Sequence, residues 1–302
     1  MMETNEDSKI KTKNPKFLQI FLDLIKWKQT LLLIFTALFA YLISIAPTPV
    51  SILDLSILFI SLFFTISGTT ILNMYIDHDI DELMERTKDR PIPSSQISLK
   101  SVLLIGAFIT LIGIIISLVF LDWLTTFVIF LGFFFDFVVY SIWLKRRTKL
   151  SIIFGGIAGG LPAMSGRVLA IGKIDHVGLF FLLFILTWIP VHILTLALFP
   201  ENLEGYKRAQ VPMWPVVSSA QETMRVITWS TLINAVVLFL IACYLHTNIL
   251  IRILIGVVCL ILIGLVIENF VSPTYKKTFR IFKFASFFMV LGFLLLYIGV
   301  LF

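Results

Sequence analysis

Nine apolar runs of about 20 residues dominate this chain, at 31–46, 52–76, 102–121, 123–143, 152–171, 177–199, 226–244, 249–267 and 281–302. Runs of that length and composition match the roughly 30 Å hydrocarbon core of a bilayer when each is coiled as one helix. Helices are the natural solution there, because lipid offers nothing to bond a free backbone N–H or C=O. Only 14% of the residues are charged, against about 25% in soluble domains, and mean hydropathy is +1.01. The expected fold is therefore an all-α polytopic membrane protein, with nine transmembrane helices in one bundle. Residues 1–28 are read as a polar N-terminal segment and 29–302 as a single transmembrane domain. The break at Leu121-Asp122-Trp123 is so short that the third and fourth runs must form a tight hairpin.

Basic residues give the direction of the helices. Six Lys or Arg precede the first run, and groups of four, four, three and four follow the second, fourth, sixth and eighth. These account for 21 of the 24, leaving Arg167, Lys173 and Arg252 for the opposite side. The positive-inside rule then puts the N-terminus in the cytoplasm and, with nine spans, the C-terminus outside. The net charge of +6 thus reflects topology and contact with anionic lipid rather than nucleic-acid binding. The N-terminal residues include Glu3, Glu6 and Asp7 and have no signal-peptide pattern. Cys243 and Cys259 lie inside spans without metal-ligand spacing and read as packing residues.

Dense charge follows the second run, in NMYIDHDIDELMERTKDR at residues 73–90. An acid or base at the bilayer centre costs roughly 2.5–3.5 kcal/mol, so ionisable clusters at the membrane mark functional sites. Asn73, Asp77 and Asp81 are spaced i, i+4, i+8, a stripe that drifts about 40° per step round a helix. Hard oxygen ligands so placed suit Mg²⁺, which is held by one or two carboxylates plus substrate phosphates. A solvated, charged helix end is the plain alternative, but it would not need three polar groups in register. His78 lies about 100° away from Asp77 and faces elsewhere.

Arg86 and Arg90 stand just beyond the acids, ready for anionic oxygens. YSIWLKRRT at 140–148 brings Lys145 and Arg146 to another loop on the same side, and FPENLEGYKR at 199–208 mixes acids and bases in a third. Metal-bearing carboxylates facing cations are what a pyrophosphate leaving group needs, and the bundle supplies an apolar wall for a long hydrocarbon. No Gly-rich phosphate loop, HExxH or GxSxG signature is visible.

These segments resemble the UbiA-type intramembrane prenyltransferases, in the form found among the haem O synthases (protohaem IX farnesyltransferases). The stripe Asn73-x3-Asp77-x3-Asp81-x2-Met84-x-Arg86-Thr87-x2-Arg90 looks like the first aspartate-rich motif of that family. YSIWLKR at 140–146, with Gly155, Gly156, Gly159, Gly160 and Pro162 after it, is similar to the family's next segment. Trp188, Pro190 and His192, then Tyr206-x2-Ala209-x-Val211-Pro212-Met213-x-Pro215-Val216-Val217, extend the likeness over residues 70–220. Departures occur at Ala163, Arg167, Val191 and Gly205. The last of these replaces an acid before Tyr206, so Glu204 or Glu201 is expected to supply the second acidic part of the metal site.

The resemblance implies transfer of farnesyl from farnesyl diphosphate to the vinyl group of haem B, water entering to complete haem O. It implies Mg²⁺ on Asn73, Asp77, Asp81 and Glu204, with Arg86, Arg90, Lys145, Arg146 and Tyr206 toward the diphosphate. His192 and Arg167 are candidates for haem, as iron or propionate contacts, with a packed His and an Arg167–Asp175 pair as the plain alternatives. It further implies a cell-membrane enzyme working at the cytoplasmic side and a haem-handling enzyme that takes its product. Two rivals remain. The acceptor of the same reaction could be an aromatic ring or a glycerol phosphate lipid, and the carboxylates could instead couple an ion to transport. Acids at one end of the bundle, ringed by cations, favour the diphosphate over the transporter.

Overall fold

The computed structural model describes residues 17–302. Most of the polar N-terminal segment, with Lys9, Lys11, Lys13 and Lys16, lies outside these described residues. Short helix α1 (Phe17–Leu24) leads into α2 (Trp27–Ile45), α3 (Ile52–Ile76) and the six-residue α4 (His78–Leu83). Then come α5 (Leu99–Phe120) and α6 (Trp123–Phe133), which continues as a π-helix over Phe134–Leu144. The second half comprises α7 (Ser151–Ile171), α8 (His176–Ala197), α9 (Pro200–Arg208), α10 (Trp214–Val217), α11 (Ala220–Tyr244), α12 (Ile249–Val271) and α13 (Tyr275–Leu301). Among the described residues nine helices are long and apolar enough to cross a membrane, with α6 and the π-helix counting as one, and no strand is present. The chain is a multi-pass helical membrane protein.

Capping side chains fix where the helices begin. Asp122 closes the α5–α6 hairpin by accepting from the backbone N–H groups of Leu124 and Thr125, both at 2.9 Å. Ser98, Ser219, Asn248 and Thr274 cap α5, α11, α12 and α13 in the same way. These caps start α5, α11 and α13 several residues before the apolar runs at 102, 226 and 281. Hydropathy reads late because first turns are polar.

Small residues let the inner helices meet closely, as close packing must where lipid removes the hydrophobic drive between helices. A Cβ on Gly166 of α7 would lie 1.9 Å from the Ala37 carbonyl oxygen of α2, and one on Gly113 of α5 would lie 2.3 Å from Thr65 Oγ1 of α3. The α3–α5 contact holds the end of α3, where the acid-rich stripe begins. Phe181 and Phe184 of α8 meet Phe288 and Phe293 of α13 in the core, all fully buried. Leu104, Leu118 and Phe120 of α5 and Leu250 and Leu260 of α12 face outward, where lipid would cover them.

Candidate active site

The end of α3 is built so that the stripe survives a helix break. Asp77 lies between α3 and α4 with φ −95°, ψ 4°, yet its N–H still bonds the Asn73 carbonyl (2.9 Å) and the Asp81 N–H bonds the Asp77 carbonyl (2.8 Å). The expected i, i+4, i+8 register is therefore kept. Both carboxyl groups are buried, Asp77 at 6% exposure and Asp81 at 4%.

Each acid has a cation, one from the next loop of the same side and one from its own segment. Lys145, at the end of the π-helix, forms an ion pair with Asp77 Oδ2, and Arg90 Nη1 bonds Asp81 Oδ2 at 2.6 Å. The second oxygen of Asp77 is buried and has no hydrogen-bond partner. Buried polar atoms are rarely left unsatisfied, and an orphaned carboxylate oxygen beside a second carboxylate and an amide suits a hard cation. The donor set therefore fits Mg²⁺. Among the described residues no three acidic, His or Cys side chains converge, so diphosphate and water oxygens would have to complete the coordination.

Burial would by itself depress the Lys145 ammonium, but Tyr140 and Asp77 overcome it and hold the group above the ordinary lysine range. Lys145 also lies 5.7 Å from the centre of the Tyr140 ring. Arg146 chelates Asp79 with bonds of 2.7 and 2.6 Å and donates to the Ile76 carbonyl at 2.7 Å, tying the π-helix to the α3–α4 break. Those bonds keep the Asp79 carboxyl down at about 2.

Three more residues belong to the cluster. Lys26 joins α1 to α2 in the left-handed conformation, φ 45° and ψ 54°. Its ammonium lies in the field of Asp77, Asp81, Arg90 and Lys145, and burial, then Arg90 and Lys145, lower it to about 7. Asp136 and Ser141 of the π-helix grip the Asn73 carboxamide, Asp136 Oδ2 accepting from Nδ2 (2.9 Å) and Ser141 Oγ donating to Oδ1 (2.8 Å). Lys26 was legible only as one more topogenic cation, and a 3.6-residue period hides the relation between 136 and 141.

Among the described residues, the other expected side chains make no hydrogen bond or ion pair with this cluster. Glu204 is exposed and paired with Lys207 at 2.9 Å, and among the described residues it forms no acidic cluster with Asp77 and Asp81. The reason is register, since α9 turns Gly205 toward Met84, where an added Cβ would sit 3.3 Å from that side chain, and Glu204 falls about 100° away. Glu201 is likewise exposed. Arg86 is exposed, and Tyr206 packs half-buried against the core cluster. Arg167 bonds Asp175 at 2.7 and 3.3 Å, close to the C-terminal end of α7, whereas Lys145 precedes the N-terminal end. Sixteen residues of helix put it about 24 Å along the axis from Ser151. Its guanidinium is occupied by the plain alternative, the Asp175 pair.

His192 of α8 is sandwiched between Trp188 and Phe282, ring centroids 4.7 and 4.6 Å away, and its Nδ1 contacts Ser286 Oγ at 3.2 Å. Trp188 is itself fixed by a 2.7 Å bond from Nε1 to the Ala285 carbonyl. The imidazole is held rigidly, with Nε2 left over.

Comparison with known proteins agrees with this architecture. The chain is 38% identical over 218 residues, 72% of each chain, to protoheme IX farnesyltransferase of Korarchaeum cryptofilum. It is 36% identical over 286 residues to the protein of that name from Thermofilum pendens, covering 91% of this chain and 96% of the other. Its fold is shared with a solved UbiA homolog from Archaeoglobus fulgidus bound to DMAPP and Mg²⁺ (TM-score 0.69, 14% identity, 91% of this chain and 98% of that one). The sequence profile of the UbiA prenyltransferase family matches residues 33–292, and the chain belongs to that family.

Proposed function

We propose that this protein transfers the farnesyl group of farnesyl diphosphate to the vinyl group of haem B, giving haem O. The observation that carries the diphosphate half is the pair of buried acids, each matched by a cation, with one Asp77 oxygen unpartnered. The haem half is supported by the relatives named for that activity, among them one matched over almost its whole length. Mg²⁺, held by Asp77, Asp81 and Asn73, would supply positive charge against the diphosphate oxygens. Lys145, Arg90 and Lys26, gathered round the same two acids, would stabilise the diphosphate as the C–O bond breaks and its oxygen takes the electron pair. The vinyl π electrons then form the new C–C bond to farnesyl C1, and water adds to the resulting carbon cation and loses a proton. Aromatic and aliphatic side chains of the bundle keep water from the allylic cation before that step.

Purified protein given haem B, farnesyl diphosphate and Mg²⁺ should form a haem heavier by one farnesyl and one hydroxyl group, read by mass spectrometry. If haem is untouched while an aromatic acid or a glycerol phosphate lipid is prenylated, the haem assignment is wrong and the transferase reading stands.

We also place the site at the cytoplasmic face of the cell membrane, with residues 1–28 cytoplasmic, 29–302 as one transferase domain and Phe302 outside. The support is the basic bias, since Lys26, Arg90 and Lys145 all belong to the loops of the lysine- and arginine-rich side. A membrane-impermeant maleimide should leave Lys88→Cys and Arg147→Cys proteins unlabelled in intact cells and label them once the membrane is opened. Labelling in intact cells would invert the topology. A haem O product, being lipid-bound, also calls for a haem-handling enzyme to receive it.

A further inference from the structure

The π-helix is the least expected feature of the site. Runs bonded i to i+5 are rare and concentrate where a helix has work other than spanning. In an α-helix, residues five apart differ by 500°, which leaves them about 140° out of register. Bonding i to i+5 brings such residues back to nearly the same face, and this register is seen directly in the 2.8 Å bond from the Lys145 N–H to the Tyr140 carbonyl. Two consequences meet at one amide. Asp136 and Ser141, five apart, both reach Asn73 on α3, one at its nitrogen and the other at its oxygen.

The chemistry of the two partners makes this contact directional. Asp136 Oδ2 accepts at 2.9 Å, so the side of Asn73 facing it is its NH₂ group. The Ser141 hydroxyl then donates to the carbonyl oxygen. An asparagine with one such partner could still rotate, but with both it is locked, and its carbonyl oxygen keeps one lone pair for the stripe it shares with Asp77 and Asp81. Asp136 is also an acid within the membrane-spanning Trp123–Leu144 segment, where an unused charge would be costly.

We infer that Asp136 is a positioning residue for the cation and diphosphate site: it holds the Asn73 carboxamide, with Ser141, so that the carbonyl oxygen is presented to Mg²⁺. The inference rests on the diphosphate reading above. Partners in this outer layer orient ligands, and their loss typically weakens metal affinity about 10- to 100-fold.

The test uses the full-length purified protein and a farnesyl thiolodiphosphate, in which sulfur replaces the bridging oxygen and resists ionisation. Binding is followed by calorimetry while Mg²⁺ is varied, so no turnover is involved. Asp136→Leu should raise the Mg²⁺ concentration for half-maximal binding about tenfold or more. Asp136→Asn should stay within about threefold of wild type, because an amide oxygen still accepts from Asn73. An unchanged Mg²⁺ requirement in Asp136→Leu overturns the inference, as does Asp136→Asn being impaired equally, which would mean that charge and not the hydrogen bond matters. If Asp136→Leu does not purify as a folded protein, Ser141→Ala takes its place, with a rise of about threefold expected and no rise overturning the inference. Failure of the wild-type protein to bind the analogue with Mg²⁺ would instead remove the diphosphate reading itself.

Discussion

Asp77→Asn lowers prenyl transfer by about three orders of magnitude, equivalent to about 4 kcal/mol of transition-state stabilisation. The substitution keeps side-chain size while removing the charge that both faces Lys145 and leaves an oxygen free for a cation. Asp81→Asn should act in the same direction through its pairing with Arg90. Stability needs separate treatment, because the Asp77–Lys145 pair is buried, with side-chain exposures of 8% and 16%. Removing one partner of a buried pair costs about 3–5 kcal/mol. The double variant Asp77→Asn/Lys145→Met should recover much of that stability, read as the thermal midpoint in detergent, and none of the activity. Glu204→Gln is the internal control: its carboxylate is exposed and paired with Lys207, so turnover within about twofold of wild type is expected. Near-normal turnover in Asp77→Asn would dispose of the metal-site argument, whatever the fold.

The contrast between Asp77 and Glu204 also shows what a sequence can carry. The Asn73–Asp77–Asp81 stripe was legible because an i, i+4 relation holds along any α-helix, and here the backbone bonds run on through the Asp77 break. The nine spans were legible because lipid imposes one length and one composition. Lys145 followed from its place in a cationic cluster beside those acids. Asp136 and Ser141 were hidden by a change of helical period that composition does not announce. Glu204 was chosen for its chemistry, but one residue of register on α9 decides which side chain faces Met84, and it is Gly205. Arg167 raises a related point: its sequence offered both a haem contact and the Asp175 pair, and the structure holds the pair across the α7–α8 turn.

Lys26→Met weakens farnesyl diphosphate binding about 100-fold and flattens its dependence on pH, an effect of the size expected for losing a charge-assisted contact of about 2–3 kcal/mol. A non-glycine residue with positive φ costs about 1–2 kcal/mol, and the Lys26 link between α1 and α2 is held in that conformation. The conformation delivers an ammonium into a buried field where Arg90 and Lys145 already stand, and the group is lowered to about 7. A bound diphosphate adds negative charge at that point and must raise it again. Because the group titrates higher in the complex than in the free site, binding takes up a proton. Affinity is then complete below about 7 and falls as pH rises through the interval between the free and bound values. Wild-type protein should lose about fivefold in affinity between pH 7 and 8, whereas Lys26→Arg, charged throughout, and Lys26→Met, never charged, should both lack that slope. Ionisation of the substrate's own phosphates is common to all three proteins, so the difference between their slopes isolates Lys26. Equal slopes in wild type and Lys26→Met would place the proton elsewhere and leave Lys26 as a structural cation.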